Sequence, residues 1–203
     1  MYNEFRRSTN IGINIKMDSK LKGKVTCIDY DPKWQVEFAN VKHVLFELLK
    51  DTVIAIEHVG STSVVGCAAK PILDIDLVIE NQTDFDSVKR ILESVGFAHR
   101  GDQGIQGREV FKRLFEDEYM AYHLYCCQKD SQELLRHLSL KAYLNDHPKV
   151  RDAYSKLKKS LAEQFPEQIL DYMEGKDEFV KQMLTDLESE GYLLKEYRPT
   201  CSQ

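Results

Sequence analysis

The chain has 203 residues, 42% of them hydrophobic and 30% charged: enough apolar material for one good core or two small ones, which excludes collagen-like, coiled-coil and wholly disordered chains. A net charge of -5 gives no global reason to cling to phosphate backbones, so no DNA partner is expected. The five cysteines, Cys27, Cys67, Cys126, Cys127 and Cys201, form no CxxC pair, and no apolar run nears the roughly 20 residues that span a bilayer, so a cytoplasmic chain without disulfides, zinc knuckle or membrane partner is expected.

Residues 1–24 carry scattered polar residues with no sustained period and are expected to form a flexible extension. From Pro32, the apolar ladder Trp34, Phe38, Val41, Leu45, Leu48 and Leu49 predicts a helix, with Asp31 placed to cap it. VIAIEHV predicts a strand ending at Gly60, and ILDIDLVI a second strand over Ile72 to Ile79. A helix follows from about Asp84 to Val95, with Gly96 suited to its C-terminal turn. GDQGIQG, Gly101 to Gly107, lacks phosphate-cradle spacing and a convincing preceding strand, and is expected to be a mobile loop. EVFKRLF and EYMAYHLYCC predict a β-hairpin meeting at Asp117 and Glu118. From Ser131 to about Glu190 the pattern is helical, broken at His147-Pro148, Phe165-Pro166 and Gly175. The order helix, sheet, helices favours α+β: a sheet-bearing core over 25–129, a helical region packed on it over 130–195, and a tail over 196–203.

The strongest local signal is GSTS, Gly60 to Ser63, followed by DID, Asp74 to Asp76. A Gly-Ser turn after a strand lets backbone N–H groups and a small hydroxyl approach a phosphate closely. Asp74 and Asp76 lie two apart, so both project from one strand face, where two carboxylates can hold Mg²⁺ against the same phosphates. Either piece alone is common. An acidic pair inside an otherwise apolar strand is costly unless something compensates its charge, and that favours a metal-nucleotide site over a solvated pair.

The stretch IEHVGSTSVVGCAAKPILDIDLVI closely resembles the signature of the GrpB family, bacterial proteins with a nucleotidyltransferase-like fold. YDPKWQVEF, REVFKR, YHLY, YLNDHP and AYSKLKKSLA are similar to further family segments, as is the spacing of Tyr172, Lys176 and Phe179, so the resemblance covers about Val25 to Leu187. It implies a nucleotidyltransferase-like mixed sheet flanked by helices, with a C-terminal helical region. It also implies that Gly60, Ser61, Thr62 and Ser63 contact a nucleoside triphosphate, that Asp74 and Asp76 bind Mg²⁺ (or Mn²⁺), and that a nucleoside monophosphate passes to an acceptor, here unknown. The family pattern asks for a third acid on a later strand; this chain has AYHLY there, with His123 on the candidate face. It also has Val65, Ala142 and Asn145 where the family usually has proline, an acid and a base.

His123 is therefore either a metal ligand or general base standing in for that acid, or a hydrogen-bonded sheet histidine. His58 reaches the same pocket if its strand pairs with the DID strand, while Glu57 points the opposite way and takes a structural or surface role. Lys70, Lys112 and Arg113 are the nearest cations for a triphosphate. Arg113 shares parity with Phe111 and Phe115, so Arg113 is expected in the site and Lys112 in solvent. Lys141 and His147 are placed to close over the base or the acceptor. KLKK, Lys156 to Lys159, is expected to be a wet helix face, and Cys126 and Cys127 to be small buried hydrophobes. Two functions follow: a Mg²⁺-dependent nucleotidyltransferase with Asp74, Asp76 and His123 in catalysis, or a non-catalytic nucleotide- or metabolite-binding module lacking the third acid. A scaffold role through the helical half has only exposed charge behind it.

Overall fold

A computed structural model of the chain describes residues 24–198. Most of the expected N-terminal extension and the end of the tail lie outside them. The first helix, α1 (Lys33–Leu49), begins where Asp31 Oδ1 accepts the Lys33 N–H at 2.9 Å, and it buries Trp34, Val41, Leu45 and Leu49. Strand β1 (Ala55–Val59) leads through Gly60 into a short 3-10 turn, Ser61–Ser63, and then β2 (Leu73–Ile79). Helix α2 (Gln82–Ser94) starts two residues earlier than its periodicity suggests, because Asn81 and Asp84 form a reciprocal capping box.

Strands β3 (Phe97–His99), β4 (Arg108–Arg113) and β5 (Tyr122–Gln128) complete a five-stranded mixed sheet of order β1-β2-β5-β4-β3. Only β2 and β5 run parallel. Strand β3 has no counterpart in the sequence reading, since three residues are too few to show alternation. The β4–β5 hairpin is present, but its connection spans 114–121 rather than turning at Asp117 and Glu118. Asp117 is instead tied back, accepting from Arg113 Nη1 at 2.6 Å and from the Tyr119 N–H at 3.0 Å.

Three helices follow: α3 (Gln132–Asp146), α4 (Pro148–Gln164) and α5 (Ile169–Ser189). The breaks at His147 and Phe165 fall where expected. The expected break at Gly175 does not occur: α5 runs through it, and a Cβ there would sit 2.5 Å from Leu161 Cδ2. This glycine serves a close approach of α5 to α4 and does not end a helix.

One sheet face, with Leu73, Ile75, Leu77, Ile79, Leu124 and Cys126, packs on α1 and α2. On the other, Val78 and Cys127 pack against Leu134 of α3. A separate cluster of Val64, Cys67, Leu144, Tyr154 and Met183 ties the loop after the 3-10 turn to α3, α4 and α5. The arrangement is an α+β fold with helices on both sides of a mixed sheet.

Candidate functional site

Gly60 sits at φ +67°, a region open to glycine, and a Cβ there would lie 2.3 Å from Asp74 Oδ2. The turn and the carboxylate are therefore in direct contact, as the pairing of Val59 with Asp74 requires. Ser63 Oγ donates to the Gly60 carbonyl at 2.7 Å and holds the turn closed, leaving Ser61 to face a cleft. Thr62 and Ser63 are themselves buried.

Three lysines converge on that cleft from different elements. Lys158 of α4 is only 2% exposed; its Nζ donates to Ser61 Oγ at 2.7 Å, lies 3.3 Å from Cys67 Sγ and stands 4.2 Å from the centre of the Tyr154 ring. Burial pushes its pKa down. Lys176 of α5 is brought down to about 8, by burial first and then by the neighbouring charges of Lys70 and Lys158. Lys70 and Lys176 both lie over the Tyr172 ring, 5.6 and 4.9 Å from its centre. Among the described residues, none of the three forms an ion pair with a carboxylate. The cavity they line with Asp74 and His123 is about 80 Å³, room for a phosphate group and not for a whole nucleotide.

Asp74 Oδ1 is 3.0 Å from Nδ1 of His123, its partner in the β2–β5 register. Asp76, on the same face, is fully buried, and burial pushes its carboxyl up. Its Oδ2 accepts from His137 Nδ1 at 2.8 Å, while Oδ1 has no partner among the described residues. His137 Nε2 reaches Glu133 Oε1 at 3.0 Å, and Arg136 grips the same carboxylate through Nε at 2.8 Å and Nη2. Burial works to lower the His137 pKa, but the Asp76 and Glu133 carboxylates outweigh it and raise it to about 9, so both ring nitrogens donate. Burial works upward on Glu133, and the hydrogen bonds from His137 and Arg136 override it, to about 2.

Gly60, Ser61, Lys70, Asp74 and His123 come together as the sequence suggests, and Asp76 stands behind them. Other expectations need correction. His58 pairs with Ile75, not with an aspartate, and so projects from the opposite face; it stacks on Phe38 of α1 with centroids 4.5 Å apart, and its Nε2 meets Thr62 Oγ1 at 3.0 Å. Burial, then the Lys141 charge, lowers its pKa to about 4. Glu57, not His58, shares the Asp76 face, and it accepts from the Tyr197 hydroxyl at 2.7 Å. Arg113 is satisfied by Asp117 and the Tyr122 ring, away from the cleft. His147 stacks on Tyr143 and pairs with Glu190, and Lys141 Nζ donates to the His58 carbonyl at 2.9 Å, so neither closes over the cleft. KLKK is not a wet face throughout. Lys158 lies at i+4 from Tyr154 and i−3 from Leu161, in phase with the buried stripe of α4, and that phase was the signal for it. His137 and Glu133 carried no local motif.

Among the described residues, no group of three or more histidine, cysteine or acidic side chains is arranged to hold a metal ion. Mg²⁺ nevertheless takes one or two carboxylates and fills its octahedron with water and substrate phosphates. Asp74 and the orphaned Asp76 Oδ1 fit that kind of site, one completed by the substrate.

Comparison with known proteins identifies relatives of the chain. The chain is 30% identical over 169 residues to the glutamate-rich protein GrpB of Alkalihalophilus pseudofirmus, covering 82% of this chain and 97% of that one. It is 34% identical over 160 residues to the UPF0157 protein YqkA of Bacillus subtilis, covering 79% of this chain but only 46% of that relative's length. The crystal structure of conserved protein GrpB from Enterococcus faecalis superimposes with TM-score 0.72 at 32% identity, over 82% of this chain and 99% of that one. The GLD-2/RNP-8 complex shares the fold alone, with TM-score 0.50 at 12% identity over 66% of this chain and 55% of that one. The fold is nucleotidyltransferase-like. With the family model for GrpB protein matching residues 24–186, the chain belongs to the GrpB family.

Proposed function

We propose that the cleft binds the triphosphate of a nucleotide together with Mg²⁺ and passes the nucleoside monophosphate to an acceptor hydroxyl. The observation that carries this reading is the convergence of Lys70, Lys158 and Lys176 on Ser61, where Asp74 is the one carboxylate in the lining and, among the described residues, none of the three lysines is ion-paired. Three cations gathered on one carboxylate, one of them buried, leave an excess of positive charge that is expensive, and a polyanionic ligand supplies the missing charge. Ser61 and Lys158 bind an outer phosphate, and Lys70 and Lys176 hold its neighbours. The cavity admits phosphate only, so sugar and base lie at its mouth. Mg²⁺, held by Asp74 and Asp76, would supply charge neutralisation at the phosphates. His123 donates from Nδ1 to Asp74, which leaves Nε2 to take the proton of the acceptor hydroxyl as its oxygen attacks the α-phosphorus and pyrophosphate leaves.

Thermal-shift titration of nucleoside triphosphates with and without Mg²⁺ tests binding: a ligand at about 100 times its Kd stabilises by roughly 2.7 kcal/mol. No Mg²⁺-dependent shift, or a shift unaltered in Lys158→Met, overturns the reading. Transfer is tested by pyrophosphate release, which Asp74→Asn abolishes.

A second reading, nucleotide binding without turnover, is favoured by one specific observation. Asp76 is already held by His137, and the β5 positions facing Asp74 and Asp76 are His123 and Tyr125 rather than an acid. It predicts saturable binding with no pyrophosphate released.

A further inference from the structure

The sheet has a second cleft, remote from the first. Its floor is Ile79, Phe85 and Cys126, and its volume is about 510 Å³, within the range of small-molecule sites. Ile79 and Cys126 project from the sheet face opposite Asp74 and Asp76, since strand residues alternate. Ile79 is also about 16 Å along β2 from Asp74, five residues at about 3.3 Å each. One ligand cannot occupy both clefts.

Four glutamines rim this cleft from four elements: Gln82 at the start of α2, Gln106 in the glycine-rich loop, Gln128 at the end of β5 and Gln132 at the start of α3. Gln128 Nε2 donates to Gln82 Oε1, which fixes two of the amides relative to each other. The glycine-rich loop, expected to be a mobile connection, forms a wall: a Cβ on Gly107, at φ +82°, would lie 3.2 Å from Ser131 Cβ, so the loop is seated against the start of α3. The single formally charged residue in the lining is Glu109, and His99 Nε2 holds it at 2.6 Å. No lysine or arginine lines the cleft among the described residues, so its chemistry is unlike the phosphate cleft.

The geometry points to a second binding site, for a neutral nucleobase or unphosphorylated nucleoside. Each glutamine offers a carbonyl acceptor and two N–H donors in one plane, the pattern that reads the edge of a heterocycle. A base is flat and carries its polar atoms in the ring plane, so it can present an edge to the glutamines and lay an apolar face on Ile79, Phe85 and Cys126. A pyranose is puckered and projects axial groups from its faces, so it makes a poorer flat contact with that floor. The absence of cations in the lining disfavours a phosphorylated form.

The test is calorimetric titration of the full chain, without nucleoside triphosphate or Mg²⁺, with adenosine, guanosine, cytidine and uridine, and with glucose and galactose. At least one nucleoside is expected to bind, and the pair Gln82→Leu with Gln128→Leu, or Gln106→Ala alone on the exposed loop, is expected to weaken it about ten-fold, the worth of one lost amide pair. Lys158→Met leaves this binding intact, and the glutamine variants keep the wild-type melting temperature. The inference is overturned if no nucleoside binds, if only the sugars bind, if the glutamine variants bind as tightly as wild type, or if Lys158→Met abolishes binding, which would place the nucleoside in the phosphate cleft. Because it rests on different residues, it stands or falls separately from the proposed transferase reading.

Discussion

Lys158 Nζ donates to Ser61 Oγ at 2.7 Å across 97 residues of sequence, joining the last third of the chain to the turn that follows the first strand. The ammonium is buried with a hydroxyl, a thiol and an aromatic face for company, and with no carboxylate among the described residues.

Lys158→Met keeps an unbranched side chain, one atom shorter, and removes its charge. The unliganded protein is expected to melt at the same temperature or higher, by up to ~1 kcal/mol in stability, because a desolvated cation is replaced by an apolar group. Triphosphate affinity is expected to fall ~100-fold, since the lost contact is a buried hydrogen bond to a charged group. Differential scanning calorimetry and nucleotide titration on the same sample check both halves.

Lys176 titrates at about 8 in the unliganded protein, so triphosphate affinity is expected to decline as pH rises through 8, and Lys176→Arg to flatten that decline. The Lys176 contribution to unfolding has the opposite sign. A lysine whose folded pKa is depressed adds stability as pH climbs from about 8 towards its unfolded value, because there the unfolded chain holds more protons. Affinity and the Lys176 contribution to stability, read as the difference between wild type and Lys176→Met, should therefore move in opposite directions between pH 8 and 10.

The Asp76–His137–Glu133 chain gives the metal-free protein two pH limits. His137 is raised to about 9, so its contribution is complete below its unfolded value near 6.5 and is lost as pH rises through about 9. Glu133 is lowered to about 2, so its contribution is present above about 4.5 and lost as pH falls through about 2. His137→Ala leaves Asp76 buried with neither oxygen paired and is expected to cost ~3 kcal/mol at pH 7, measurable by urea unfolding.

Gly60→Ala drives a methyl into Asp74 Oδ2 and holds an L-residue at φ +67°. It is expected to cost ~1–2 kcal/mol in backbone strain and to abolish triphosphate binding by displacing the carboxylate. Gly101→Ala, where a Cβ meets nothing within 4 Å but φ is also positive, carries the strain alone and should leave binding unchanged.

Local pattern revealed what depends on local pattern. The α1 ladder, the alternation of β2 and the turn at Gly60 were legible because each is written in consecutive residues. Which face His58 joins was not, because parity between two strands depends on their register, and pairing with Ile75 rather than Asp74 or Asp76 sends it to α1. Arg113 looked like an unpaired cation on an apolar face until the widened hairpin loop brought Asp117 to it. The lysines were hidden for a different reason: a buried Lys158 within KLKK differs from its exposed neighbours only in helical phase, and that phase acquires meaning when α4 is seen against the Gly-Ser turn. His137 is more remote still, 61 residues from the aspartate it holds.

The division of the phosphate cleft between the sheet and the last two helices also constrains how the protein is made. Ser61 and Asp74 leave the ribosome well before Lys158 and Lys176, so a nascent chain can form its sheet and still lack the lysines of the cleft. On the proposed function, nucleotide would not assist the first stages of folding, and ligand-dependent protection from proteolysis would report that α4 and α5 have docked on the Gly-Ser turn.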